Sequence, residues 1–296
     1  MAKRSARHLL EAMKSEPQIA ATIKKETGEA VLKDISVAKA FGANLAELRN
    51  DFLKIAERKR IPDIVQMSEL PVVTTCRIRT EGGKFAEFDE TCVQMQKDAM
   101  EYGAQFIDIP MNAPTRTRDE LIKAAIKNDT RIIISKHEQN MPSLQKMRET
   151  LERMHTLPHD IIKMVYTPKA PDDTLRLLEA AQSLRIHRKP YTVFGMGPYG
   201  KLSRVLSLFV GGSIAYCSIE RNGRQDNLNQ VSILDMKEIF SYIGGPENWK
   251  RIRRDPDWVR KDLAKAWASM SIDTYNNMPM LKRFIRDEAK EFLSGI

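Results

Sequence analysis

Eight short runs of β-forming residues recur along the chain, each followed by a stretch with helical periodicity, and no other feature restricts the fold as much. They are PQIAATI (17–23), ANLAELR (43–49), PVVTTCR (71–77), QFIDIPM (105–111), TRIIISKH (130–137), DIIKMVY (160–166), PYTVFGM (190–196) and SIAYCSI (213–219). Their starts lie 26, 28, 34, 25, 30, 30 and 23 residues apart. The intervals hold helix-like segments such as RDELIKAAIKN (118–128), SLQKMRETLERMH (143–155) and DDTLRLLEAAQSL (172–184). Strands separated by helices at this spacing are βα units, and these build a parallel sheet because each connection must cross over. Eight units predict an α/β fold, a closed (β/α)8 TIM barrel, with a doubly wound open sheet as the alternative. No GxGxxG or GxxxxGK[ST] follows any of the runs, which weighs against an open nucleotide-binding sheet.

The barrel is expected over 17–245, after a basic N-terminal segment (1–16) and before a helical C-terminal extension (246–296) punctuated by Pro246, Pro256 and Pro279. The opening MAKRSARHLLEAMK is amphipathic and carries no apolar h-region, so it does not read as a secretory signal. The longest uncharged stretch, 205–219, is broken by Gly211, Gly212 and three serines and is too short and too polar to span a bilayer. Cys76, Cys92 and Cys217 show neither CxxC spacing nor an even count. They predict reduced thiols in a cytoplasmic protein and no structural zinc. The net charge of +9 invites a polyanionic partner, but basic and acidic residues are interspersed, as in KRIRRDPDWVRKDLAK (250–265). With no nucleic-acid motif in the chain, a nucleic-acid partner is not expected. Arginines gathered for an anionic small molecule account for part of the excess.

Side chains two apart on a strand share a face. In ANLAELR, Ala46 and Leu48 suit the outer helices, which turns Glu47 and Arg49 toward the barrel axis. Thr75 and Arg77 share a face in the third run, as do Ser135 and His137 in the fifth. In DIIKMVY, Ile162 and Met164 suit the helix-facing side, so Lys163 points inward between Ile161 and Val165. An unpaired ammonium is costly to bury, so a lysine in that place is expected either to be kept at the surface or to be put to use. Most of these polar residues stand at carboxyl ends of strands, where barrel enzymes build their sites, with Lys163 one layer deeper. Glu47, Arg49, Arg77, His137 and Lys163 are therefore expected to converge on one rim. His8, His155, His159 and His187 fall in helical or loop contexts and read as structural, and Cys76 reads as core.

The same residues resemble a known family, the type I 3-dehydroquinate dehydratases, over roughly residues 17–240. The resemblance is carried by ELRND on the second strand, TCR followed by EGG on the third, S-x-H-E ending the fifth, the lysine of IIKMVYTP on the sixth, and GMGPYGKLSR (195–204) after the seventh. It implies that Lys163 forms a Schiff base with the C3 ketone of 3-dehydroquinate, a substrate of the shikimate pathway. It further implies that His137 removes the C2 proton and returns it to the departing C1 hydroxyl, giving 3-dehydroshikimate; a residue that titrates near neutrality suits both steps. Arg204 resembles the clamp on the substrate carboxylate. Glu47, Arg49 and Arg77 resemble groups that hold the ring hydroxyls and orient the site, and Gln230 resembles a lid glutamine. Neither metal nor dissociable cofactor is implied, and a homodimer is expected.

The pattern departs at two places. Pro110 stands two residues after the fourth-strand aspartate, where the resemblance leads one to expect a glutamate that orients the histidine. The lid, expected as S-x-P-G-Q, reads DNLNQ (226–230), with Asp226 at the serine position. Asp108, on Pro110's parity one layer deeper, is expected to orient His137 instead, ahead of Glu138, which should point away. Two other readings accompany the leading one: a different Schiff-base, aldolase-type lyase acting on a related keto-acid, and a non-catalytic dehydroquinase-like sensor. Retention of both Lys163 and His137 argues against the sensor.

Overall fold

Strand after strand lies beside its sequence neighbour, all parallel: β1 (Gln18–Ile23), β2 (Leu45–Arg49), β3 (Val72–Thr75), β4 (Phe106–Pro110), β5 (Arg131–His137), β6 (Ile161–Tyr166), β7 (Tyr191–Gly195) and β8 (Ile214–Cys217). The hydrogen-bonded order is β7-β6-β5-β4-β3-β2-β1-β8. The remaining seam, between β7 and β8, is bridged by the Ser213 N–H donating to the Tyr191 carbonyl (2.7 Å) and the Thr192 hydroxyl donating to the Ile214 carbonyl (2.9 Å). The fold is the expected (β/α)8 barrel, and the open-sheet alternative falls away. This computed structural model describes residues 5–219 and 230–254, together with 279, 281–283, 285–287 and 290.

The outer ring comprises α2 (Gly28–Ala40), α3 (Ile61–Met67), α4 (Glu90–Glu101), α5 (Thr115–Lys127), α6 (Leu144–His155), α7 (Pro171–Ser183), α8 (Lys201–Phe209) and α9 (Ile233–Ile243). Their starts are set by local chemistry. Thr27, Asp89, Ser143 and Ser232 each accept a hydrogen bond from a first-turn amide, satisfying donors the helix itself cannot. Outward strand side chains such as Leu48, Ile107, Ile134, Met164 and Val193 pack against this ring in one continuous core.

Inward side chains form a second cluster, including Leu45, Val73, Phe106, Ile133, Ile161 and Ile214. Ala6, Leu9 and Met13 join it from α1 (Ala6–Ser15), part of the basic N-terminal segment. The amphipathic pattern of that segment thus serves to plug the amino end of the barrel. Leu9 is fully buried there, so Leu9→Ala is expected to lower unfolding free energy by about 3 kcal/mol. Urea denaturation measures this, and the opposite end of the barrel should keep its structure.

Beyond the barrel, α10 (Pro246–Arg254) buries Trp249 against Phe209 and Phe240, with ring centroids 5.3 and 5.1 Å apart. Its Arg253 donates to the Leu208 and Gly212 carbonyls, at the C-terminal end of α8 where carbonyls lack intrahelical partners. Farther on, Leu281 and Ile285 are buried and Lys282 pairs with Asp235 of α9 at 2.7 Å. Among the described residues, no helix is long and apolar enough to cross a membrane.

Candidate active site

The carboxyl ends of the strands surround a cavity that opens to solvent. Glu47, Arg49, Arg77, His137, Lys163, Arg204 and Gln230 all line it. Strand parity brings Glu47, Arg49, His137 and Lys163 together, and Arg77 joins them from just beyond the end of β3.

Lys163 sits at the bottom, 2% exposed. Its ammonium donates to Glu47 Oε1 at 2.8 Å and Asp108 Oδ2 at 3.2 Å, and lies 3.8 Å from the centroid of the Tyr216 ring. The buried cation is therefore compensated, by partners 116 and 55 residues distant in sequence. Glu47 also accepts from the hydroxyls of Thr22 (3.1 Å) and Thr75 (3.4 Å). Burial pushes its carboxyl up, but Lys163, Arg49 and Arg77 pull it down to about 2 from 4.5. Glu47 is thus a carboxylate throughout the working range. Its contribution to stability is complete above pH 4.5 and is lost as pH falls toward 2.

The arginines are aimed by their own loops. Arg49 forms a two-pronged pair with Asp51 (2.9 Å for each bond) and donates to the Gly82 carbonyl at 3.1 Å. Its neighbour Asn50 donates to the Thr74 hydroxyl at 2.8 Å. The ELRND stretch therefore carries both an arginine and the carboxylate that fixes it. Arg77 follows β3, and the chain then folds back through a 3-10 turn (Arg79–Glu81). A side chain on Gly83 would overlap the Arg77 carbonyl, so this return needs glycine. It brings Glu81 to Arg77 Nη1 at 3.2 Å, and the same nitrogen donates to Ser135 at 3.1 Å.

Asp108 faces inward, as its parity requires, but it does not serve His137. Its carboxylate is occupied by Arg77, the Ser135 hydroxyl and Lys163. Arg77 reaches it because the folded-back loop aims the guanidinium across the barrel. The expectation that Asp108 orients the histidine is corrected accordingly. Glu138 turns away, pairing with Lys136 at 2.7 Å.

His137 ends β5, and its Nδ1 is buried without a hydrogen-bond partner among the described residues. Burial, then the positive charges of Arg77, Lys163, Arg49 and Arg204, hold its pKa well below 6.5. A neutral imidazole at neutral pH is a competent base. A second cavity adjoins the first, and Glu81 and His137 line both. Glu81 is 8% exposed, and its carboxyl is raised chiefly by burial, which outweighs Arg77. Glu81 belongs to the EGG stretch, to which the sequence pattern assigns no role. Its position four residues after Arg77 was the available signal.

On the far side, Arg204 lies in the first turn of α8, stacked 4.4 Å from the Phe194 ring centroid. Gly195 and Gly200 touch backbone to backbone, leaving no room for a side chain on Gly200. Ser203 fastens this contact, donating to the Gly200 carbonyl and accepting from the Gly195 amide, each at 2.6 Å. The GMGPYGKLSR stretch is thus a tight strand-to-helix joint that presents Arg204 to the cavity. Gln230 donates to Thr22 at 3.0 Å. The rest of the expected lid, Asp226 included, lies outside the described residues. Thr22 and Tyr216 also line the cavity, and neither was singled out from sequence. No group of His, Cys, Asp and Glu among the described residues is arranged to hold a metal ion.

The family model for type I 3-dehydroquinase matches residues 19–247. The chain belongs to that family. The 3-dehydroquinate dehydratase of Methanosarcina mazei is 32% identical over 222 residues, 73% of this chain and 91% of that protein. That of Methanocaldococcus jannaschii is 30% identical over 201 residues, covering 67% and 86%. Among solved structures, Enterococcus faecalis 3-dehydroquinate dehydratase aligns with a TM-score of 0.63 at 25% identity, over 68% of this chain and 88% of that one. The type I enzyme of Clostridium difficile bearing covalently modified comenic acid gives 0.67 at 24% identity, over 75% and 90%; at that identity it speaks for the fold alone. α1 and the chain beyond 247 lie outside the match to the family model.

Proposed function

We propose that the protein dehydrates 3-dehydroquinate to 3-dehydroshikimate through an iminium at Lys163. The observation that carries this is a buried lysine amine at the bottom of an arginine-lined cavity whose rim holds a neutral histidine. Lys163 Nζ, once its ammonium has released a proton to solvent, attacks the C3 carbonyl carbon. Loss of water from the carbinolamine leaves a cationic C=N bond that draws electrons from the C2–H bond. His137 takes that proton, the resulting enamine expels the C1 hydroxyl, and the imidazolium returns the proton so that water departs. Hydrolysis of the iminium frees product and lysine, for a net loss of one water.

Binding falls to the cations. Arg204 has a planar pair of donors suited to a carboxylate, and Arg49, Arg77 and Glu47 suit ring hydroxyls. Glu81, paired with Arg77 at 3.2 Å and lining both cavities with His137, is the carboxylate proposed to orient the imidazole once substrate is bound. Arg204→Lys keeps the charge and loses the fork, so KM should rise at least about tenfold with kcat little changed. Unchanged constants would remove Arg204 from the clamp. The three cysteines are free and buried, which supports a reducing, cytoplasmic setting, and family resemblance supports a homodimer.

The decisive assay adds 3-dehydroquinate and follows absorbance of the conjugated enone of the product. No signal at high enzyme concentration overturns the proposed reaction.

A further inference from the structure

We infer that Tyr216 is a positioning residue for Lys163: its ring is the surface on which Nζ rests and which stabilises the nitrogen's positive charge in the ammonium and in the iminium. The inference rests on Lys163 acting as the nucleophile. Tyr216 lies on the inward face of β8, 4% exposed, in the interior cluster of the barrel. Its ring centroid is 3.8 Å from Nζ, well inside the roughly 6 Å over which a ring face attracts a cation. The hydroxyl, by contrast, is buried and makes no hydrogen bond among the described residues. Buried tyrosines ordinarily find a partner for that group. Here the polar end makes no bond and the face makes the contact, so the ring is the functional part. Burial, then the carboxylates of Glu47 and Asp108, raise the phenol's pKa well above 10. The side chain is therefore neutral, and its face keeps the electron density that attracts a cation.

The ring offers something the carboxylates do not. An ammonium has three N–H donors, and Lys163 directs two of them at Glu47 and Asp108. The iminium has a single N–H, so at least one of those bonds is lost when the substrate attaches. Attraction to a ring face needs no N–H and persists through the change. It also helps fix where Nζ stands, in a position from which a carbonyl carbon can be reached. Nucleophilic attack is sensitive to such placement at the scale of an ångström.

The test uses a carbonyl probe that does not depend on the natural substrate. Glyoxylate condenses with the Lys163 amine, water leaves, and hydride from borohydride reduces the imine to a stable carboxymethyl amine, read by peptide mass. Tyr216→Leu should slow this labelling, and kcat with 3-dehydroquinate, by about 30-fold, the equivalent of about 2 kcal/mol for a desolvated cation over a ring. KM should stay within a few-fold, and Tyr216→Phe should recover most of the lost rate. Stepwise fluorination of that phenylalanine ring keeps its shape while draining charge from its face, and each step should slow labelling further. This series decides the matter even if Tyr216→Leu fails to fold. Wild-type labelling rates in Tyr216→Leu, a phenylalanine variant as slow as leucine, or indifference to fluorination would overturn the inference, as would a wild type not labelled at Lys163. Labelling at Lys163 without conversion of 3-dehydroquinate would defeat the proposed reaction and leave the role of Tyr216 standing.

Discussion

Lys163→Met is expected to lower kcat by 10⁴-fold or more and to abolish covalent capture of substrate by borohydride. Methionine fills much of the same volume and has no amine, so the covalent route is removed while the interior stays packed. In the wild type, borohydride added with 3-dehydroquinate should leave a reduced, substrate-derived mass on the peptide containing Lys163. The substitution also strips Glu47 and Asp108 of their shared cation. Breaking a buried pair from one side costs about 3–5 kcal/mol, so a lowered melting temperature should accompany the loss of activity. Circular dichroism at the assay temperature separates inactivity from unfolding. Labelling at a different lysine, or turnover near wild type in Lys163→Met, would sink the mechanism.

The barrel could be read from the chain because each βα unit announces itself locally. All eight β-type runs became strands, with no end shifted by more than two residues. Parity along those strands was equally informative, since one face of each meets helices and the other meets the barrel interior. It placed Lys163, Glu47, Arg49 and His137 correctly without any knowledge of their neighbours. Parity gives the direction of a side chain and not its partner, and there the reading of Asp108 failed. Which cation meets Asp108 depends on the return of the loop after Arg77, a tertiary event that glycine permits and no periodicity records. Glu81 lies in that same loop. Tyr216 was hidden for another reason: within SIAYCSI it looks like one more apolar strand residue, and only the barrel's closure sets its ring beside Lys163. The N-terminal segment was recognised as amphipathic, but what its apolar face covers follows only from the open end of the barrel it plugs.

His137→Ala is expected to reduce kcat by about 10³-fold while leaving imine formation intact, so the borohydride label on Lys163 should persist or increase. General acid–base contributions of this kind are typically 10²–10⁴-fold, and an enzyme halted after its first covalent step accumulates the species that borohydride traps. Loss of the label together with activity would mean that the imidazole acts in condensation, not in removal of the C2 proton. Glu81→Gln should lower kcat by about tenfold with the label retained, as befits a group that holds the base without replacing it. The pH profile offers an independent check. His137 works as a base in its neutral form, and burial with Arg77, Lys163, Arg49 and Arg204 keeps that form down to a pH well below 6.5. For the free enzyme, kcat/KM should therefore stay level as pH falls through 6.5 and decline only at lower pH. The same depression makes folding less favourable below pH 6.5, because the unfolded chain takes up a proton there that the folded one refuses. Arg204→Gln removes one of the four charges and should move the acid limb upward, toward 6.5. An acid limb already at 6.5 in the wild type, or one unmoved by Arg204→Gln, would detach His137 from the rate and leave the proton transfer to another group.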